Sequence, residues 1–251
     1  MRTALAFLLV ACVLPRSAHA GRNIYGWLYG TEVLPERGVE LQTWIWDEND
    51  KYGQRIRETW LLWGPVVGVT DQLELSLPVE LAWTDTTMTN AMGMSVEALS
   101  FTFKRFGIEA RYRFASPDPA EAPALVPLLR LAVKRDVTIR DNLRLEGDAV
   151  ISYDAGAVQA VIDVGLVGDV KSTTQHLEAR PGAGISYAAT PELRLGAEVY
   201  SELSLDQGSE SWASVGPNLS WTHGRFWLSG TVGYGVYHVK IASRVMWGVA
   251  F

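Results

Sequence analysis

The last ten residues, Ala242-Ser243-Arg244-Val245-Met246-Trp247-Gly248-Val249-Ala250-Phe251, constrain the fold of this chain more than any other stretch. Val245, Trp247, Val249 and Phe251 alternate with small or mixed residues, the period-two pattern of a β-strand. In a soluble protein a bare apolar strand of this kind leaves a row of unpaired backbone groups, an edge prone to aggregation. A closed barrel in a bilayer has no edge, because its last strand pairs with its first. Trp247, Val249 and Phe251 therefore read as a barrel-assembly signal as well as a wall strand. The competing reading is an edge strand of a soluble sandwich.

The opposite end supports export. Met1-Arg2 is a basic start, Thr3 to Leu14 is almost wholly apolar, and Ala18-His19-Ala20 is a small-x-small cleavage site. This pattern describes a secretory signal peptide over residues 1–20, too short for a membrane span. Leu9-Val10-Ala11-Cys12 offers a lipoprotein box as the alternative, with lipidation at Cys12. Cleavage after Ala20 removes the single cysteine, and with it any disulfide or thiolate chemistry. It also removes Arg2 and Arg16, leaving 20 basic against 28 acidic residues, a formal charge of −8. An acidic chain of this kind is not expected to bind nucleic acid. The mean hydropathy of +0.05 fits a transmembrane barrel, in which lipid-facing and lumen-facing residues cancel.

Residues 21–37 read as a periplasmic lead, with Tyr25, Trp27 and Tyr29 ahead of the Pro35-Glu36-Arg37-Gly38 breaker. From Gly38 to Phe251 the chain divides into alternating segments of bilayer-crossing length. The clearest carries Leu73, Leu75, Leu77, Val79, Leu81 and Trp83 on one face against Glu74, Ser76 and Glu80. In the segment from Leu99 to Phe114 the apolar parity changes phase, which predicts a β-bulge near Lys104-Arg105. The segments number twelve, the even count of bacterial single-chain barrels. Tight turns follow strands two, six, eight and ten, and longer polar loops separate most of the others, including Asp85 to Met94. Gly64 to Leu75 and Gly182 to Gly196 repeat one hairpin pattern, repeated again over Gly216 to Gly230, so the chain reads as one domain of stacked hairpins. The expected fold is all-β: a closed antiparallel transmembrane β-barrel of about 12 strands in an up-and-down meander.

Charges gather on the face opposite the apolar one. Glu74, Glu80, Arg111, Arg130, Arg144, Glu146, Asp148, Glu178, Arg180, Arg194, Glu198, Glu202 and Arg244 are the expected lumen-lining set. Both signs occur on neighbouring strands, so they can pair across a narrow passage or merely fill and stiffen the interior. Trp83, Trp221 and Trp247 lie on apolar faces near strand ends, where indoles favour the headgroup boundary. Trp44, Trp46, Trp60, Trp63, Trp212 and Trp227 are candidates for either face. His176, His223 and His238 stand in no metal-binding spacing and next to no recognisable nucleophile pattern. No catalytic, cofactor or metal site is expected.

Three stretches resemble one broad family of Gram-negative outer-membrane barrels. Thr31-Glu32-Val33-Leu34-Pro35-Glu36-Arg37-Gly38 is similar to that family's lead-in motif, with one extra residue between Pro35 and Gly38. Gly68-Val69-Thr70-Asp71-Gln72-Leu73-Glu74-Leu75 resembles its first hairpin, and Ala110-Arg111-Tyr112-Arg113-Phe114 its strand end. The family is labelled as outer-membrane proteins of the meta-pathway of phenol degradation, or as transporter-like barrels. The resemblance implies a small solute, aromatic or otherwise hydrophobic, passing through the barrel. The expected setting is the bacterial outer membrane, with lipid and the barrel-assembly machinery as partners. The alternatives are a filled structural or surface-interaction barrel and, behind it, a barrel-wall hydrolase.

Overall fold

In a computed structural model the chain is described over residues 23–51, 56–89, 95–116, 123–172, 174–206 and 211–251. The expected signal peptide and Cys12 lie outside these residues. Thirteen strand segments follow one another: β1 (Val39–Asn49), β2 (Ile56–Gly68), β3 (Leu73–Ser76), β4 (Val79–Thr89), β5 (Ser95–Arg113), β6 (Leu125–Asp136), β7 (Leu143–Ala155), β8 (Val158–Val170), β9 (Gln175–Ala188), β10 (Leu193–Ser204), β11 (Trp212–His223), β12 (Phe226–Tyr237) and β13 (Ile241–Ala250). Each pairs antiparallel with its neighbours, and β3 and β4 share one stave between β2 and β5. Twelve staves result, and the barrel closes through β1 and β13, in register from Glu40 opposite Ala250 to Asn49 opposite Ile241. Beyond the ladder, the amide of Phe251 donates to the carbonyl of Val39 at 2.9 Å.

The division between β3 and β4 differs from the single strand expected over Leu73 to Trp83. Pro78 has no N–H to give to a ladder, so the pairing lapses at Leu77-Pro78 while the in–out alternation continues across it. The expected bulge is present: Glu80 faces Arg105 and Leu81 faces Phe103, which leaves Lys104 as the extra residue. A second irregularity, at Ala213/Ser214 against β12, follows no signal drawn from the sequence. The expected loop from Asp85 is strand as far as Thr89. Residues 90–94 of that loop and 117–122 of the proline-rich link lie outside the described residues.

Tight turns cluster at the barrel end that also holds Gly38 and Phe251. Gly156 and Gly224 take φ of 62° and 58°, left-handed values that two-residue hairpins require. Of the three hairpins matched as repeats, the first two turn identically, while the third turns through Gly224. Thr70 Oγ1 accepts from the amides of Gln72 and Leu73 at 3.2 and 3.0 Å, and Thr190 Oγ1 from Glu192 and Leu193 at the same distances. Such side-chain-to-backbone bonds are how threonine fixes a turn.

The outer wall is apolar along every stave. Leu131, Ile151, Ile162, Ile185, Leu195, Val232 and Val245 are exposed on it, and charged neighbours on the same strands point inward. No water-filled medium rewards a surface of this kind; a hydrocarbon one does. Trp63, Trp83, Trp221 and Trp247 stand on the outer side, whereas Trp44, Trp46, Trp60, Trp212 and Trp227 stand on the inner one.

Candidate functional site: a divided lumen

The segment expected as a periplasmic lead is inside the barrel. Asn23, Tyr25, Trp27, Leu28 and Leu34 are buried, Tyr25 and Leu34 completely. Residues 23–28 run along the β10–β12 wall from the tight-turn end. There Ser220 and Ser229 donate to the carbonyls of Asn23 and Tyr25, at 3.3 and 3.5 Å, while the Tyr25 hydroxyl donates to the Gln159 carbonyl at 3.1 Å. At the apex the Trp27 indole N–H reaches the Ala242 carbonyl at 3.2 Å. The segment then crosses to the opposite wall and descends: Tyr29 N–H to Asp163 at 2.9 Å, Arg111 to the Gly30 carbonyl at 2.9 Å, and Leu34 N–H to Glu74 at 2.7 Å. It leaves beneath β2, where the Arg37 amide donates to Gly68 and the Gly68 amide to Gly38, each at 2.9 Å. A side chain at Gly68 would overlap the Pro35 carbonyl, so the close approach requires glycine.

Apolar content explains the placement. Tyr25, Trp27, Leu28 and Leu34 would otherwise be exposed, and a buried aromatic or leucine side chain is worth roughly 1.5–3 kcal/mol relative to an exposed one. Over residues 23–34 the segment has no strand neighbours for its backbone, and a buried unpaired N–H costs about 1–3 kcal/mol. Carboxylates of the wall satisfy these donors. Glu198 alone accepts from the amides of Gly26, Trp27 and Leu28 at 2.9–3.2 Å and from the Thr231 hydroxyl.

Above the apex lies a cavity of 450 Å³. One wall of it, from β4 to β10, is charged. Register explains the pairing: Arg130 stands opposite Asp148 and diagonal to Glu146, and Lys134 is diagonal to Glu146 from the other side. Lys134 reaches Glu80 at 2.6 Å and Glu146 at 3.0 Å. Arg130 reaches Glu109, Asp148 and Glu146 at 2.6, 2.6 and 2.8 Å. Arg105 continues the chain to Glu80 at 3.2 Å, Arg144 to Glu146 and Asp169 at 2.8 and 2.6 Å, and Arg180 to Glu202 at 3.2 Å. Each of these paired charges has an opposite partner, the condition under which burial is tolerated, whereas Asp163 in the same wall takes the Tyr29 amide instead.

The facing wall is aromatic. Trp46 and Trp60 stack with their ring planes 1° apart and centroids at 5.7 Å. Trp27 stacks on Tyr200 at 4.9 Å and meets the edge of Trp212 at 5.5 Å. The Arg244 guanidinium sits among these rings, 4.4 Å from the Trp44 centroid and 5.4 Å from those of Trp27 and Trp46.

Below the apex a second cavity, of 310 Å³, opens between Ile24, Glu32, Asp154, Glu192 and Arg194. Gln159 bridges Glu32 and Asp154 there, at 3.1 and 3.0 Å. Burial pushes the Glu32 carboxyl above its ordinary range, and the Gln159 hydrogen bond opposes that rise. The inserted segment therefore separates two polar chambers within one lumen.

All thirteen charged residues expected to line the lumen point into it, but in different places. Glu80, Arg130, Arg144, Glu146, Asp148, Glu178, Arg180, Glu202 and Arg244 border the upper chamber. Arg194 borders the lower one. Glu74 and Arg111 pair at 2.9 Å beside the descending segment, and Glu198 holds the ascending one. Trp247, Val249 and Phe251 lie in or at the end of β13 on its outward side, where that strand closes against β1. His176 engages Asp206 and His223 engages Glu192. Of the tryptophans open to either face, Trp44, Trp46, Trp60 and Trp212 turn inward and form the aromatic wall. Trp44 and Trp46 share parity with Glu40, Gln42 and Glu48, a signal sufficient to turn them inward.

A scan of protein-family models finds none that matches the chain, and a search of curated proteins finds no match. Solved structures do match. An outer membrane channel from Pseudomonas putida F1 aligns with a TM-score of 0.61 at 12% identity, over 88% of this chain and 98% of that one. The KdgM porin aligns at 0.53 with 11% identity, over 84% and 99%. The translocator domain of the autotransporter NalP from Neisseria meningitidis aligns at 0.53 with 12% identity, over 85% and 88%. The fold is that of bacterial outer-membrane β-barrels. At these identities the likeness concerns the fold, and it does not extend to the phenol-degradation label.

Proposed function

We propose that the protein is an outer-membrane channel for small solutes, constricted by its own inserted segment 23–37. One observation carries this reading: the closed barrel holds two polar chambers, of 450 and 310 Å³, in line on either side of the apex at Trp27 to Tyr29. A barrel that served only as a wall would gain more from an interior packed at protein density. The apolar outer wall supports a bilayer setting, and the outer-membrane barrels among its structural neighbours support the outer one. Porins and a channel are among its structural neighbours, and one of those porins, KdgM, has been solved in complex with disordered oligogalacturonate. The stacked indoles of Trp46 and Trp60 support flat, apolar-bodied solutes. Refolded protein in planar bilayers is expected to show small discrete conductance steps, and liposomes containing it to swell in small solutes but not in large ones. Silent bilayers together with unswollen liposomes would overturn the channel reading.

A second reading, a filled structural barrel, is favoured by the same segment. Glu74, Asp163 and Glu198 bind its backbone from three sides, and the ion pairs of the charged wall are satisfied internally. That reading predicts no conductance in the intact chain.

A further inference from the structure

The cations of the upper chamber are not alike. Arg105, Arg130, Lys134, Arg144 and Arg180 each lie within an ion pair, and Lys51 pairs with Glu48 and Glu58. Arg244 borders the same chamber and, among the described residues, forms no ion pair. The residue is buried, at 9% exposure. One donor reaches the Trp27 carbonyl at 3.3 Å, and Nε has no hydrogen-bond partner. Three indoles surround the guanidinium within 5.4 Å. Aromatic faces attract a cation but leave its charge uncompensated, and a buried charge without a counter-ion is costly. Arg244 has kept its N–H donors and lost its solvent, with no acid in place to answer it.

We propose that Arg244 is a recognition site for the carboxylate of a planar organic acid, whose ring lies against the Trp46 indole beside it. The inference deepens the channel reading by naming the class of solute, and rests on it for the solute's route to the site. Guanidinium geometry suits a carboxylate, which it can hold through two parallel hydrogen bonds. The aromatic wall suits a ring. The charged wall opposite offers no free cation to a second carboxylate, because Arg105, Arg130, Lys134, Arg144 and Arg180 are already held in ion pairs there. A single carboxylate on a single ring satisfies both walls, and a chamber of 450 Å³ lies within the range of small-ligand pockets.

The test is binding in detergent micelles, read by tryptophan fluorescence and by calorimetry, with benzoate, benzyl alcohol, cyclohexanecarboxylate and acetate as probes. For the unmodified protein, benzoate is expected to bind at least tenfold more tightly than benzyl alcohol or acetate, and more tightly than cyclohexanecarboxylate. Arg244→Gln is expected to lose at least tenfold for benzoate and nothing for benzyl alcohol. Trp46→Leu is expected to weaken benzoate but not acetate. Equal binding of benzoate and benzyl alcohol by the unmodified protein overturns the proposal even where Arg244→Gln fails to assemble. Unchanged benzoate affinity in an assembled Arg244→Gln barrel overturns it as well. Conductance in potassium chloride, measured separately, reads the channel proposal. A conducting barrel that ignores benzoate defeats the site alone, and a silent barrel that binds benzoate defeats the channel alone.

Discussion

Both carboxylate oxygens of Glu198 accept the amide hydrogen of Trp27, at 3.1 and 3.2 Å. The two residues are 171 positions apart, and their contact turns an otherwise unstructured lead into the constriction of the lumen. Glu198 is the only described side chain that gathers three successive amides of this segment. Replacing it by alanine leaves those N–H groups buried and unsatisfied, at about 1–3 kcal/mol each, so the segment is expected to leave the lumen more often. Glu198→Ala should raise single-channel conductance several-fold and make it noisier, while deletion of residues 23–34 should set the upper limit of a steady open pore. Planar-bilayer recording checks both. Unchanged conductance in the two variants would show that the segment does not restrict passage.

Lys134 bridges Glu80 and Glu146, two carboxylates that would otherwise meet across the wall. Removing one partner of a buried ionic group typically costs about 3–5 kcal/mol, because the remaining charge has no solvent to return to. Lys134→Met is therefore expected to lower the temperature at which the barrel loses its compact form on a semi-native gel. Adding Glu80→Gln should recover part of the loss, since Glu80 is left with Arg105 alone, whereas Glu146 keeps Arg130 and Arg144. If the double variant is less stable than the single one, the bridge is not what holds that wall.

Much of the wall was legible because alternation survives every loop. The outward rows of β6, β7 and β10 follow directly from Leu129-Leu131-Val133, Leu145-Ile151-Tyr153 and Leu195-Ala197-Val199. The phase change near Lys104 announced its bulge for the same reason: a single extra residue inverts parity. Pro78 carried its own signal, the missing N–H, which the strong leucine alternation on either side outweighed. The lead was illegible for a different reason. Its partners lie on strands far away in sequence, and nothing local distinguishes an aromatic segment outside the barrel from one inside it. Arg244 is the sharpest case. Its residue type and inward parity could be read, whereas its want of an acid depends on which side chains the register brings beside it.

The closing seam gives Phe251 a specific backbone role besides its apolar ring. Its amide donates to Val39 at the start of β1, one position beyond the last ladder pair. Deleting Phe251 removes that bond and the final outward aromatic, and leaves Ala250 as the terminal residue against Glu40. The assembly reading predicts far less heat-modifiable barrel in outer membranes, with the unassembled chain retained as a proteolysed fraction. In vitro refolding into micelles, which bypasses the cell's assembly machinery, should be affected much less. Equal losses in cells and in micelles would assign the residue to closure of the seam rather than to recognition.

Val164 and Asp163 are adjacent in the middle of β8 and test the orientation of the whole wall. Val164 is exposed on the outer face, and Asp163 is buried inside with its carboxylate on the Tyr29 amide. In a bilayer a cation at mid-depth on the lipid face costs about 2–4 kcal/mol, so Val164→Arg should reduce the stability of the barrel refolded into liposomes by that amount. In detergent micelles, where the side chain can reach the polar boundary, the penalty should shrink. Asp163→Asn should behave in the opposite sense, with nearly the same stability in both media but a looser inserted segment and a raised conductance. Urea unfolding in liposomes and in micelles separates the two variants. A Val164→Arg barrel equally stable in both media would mean that this face does not meet lipid.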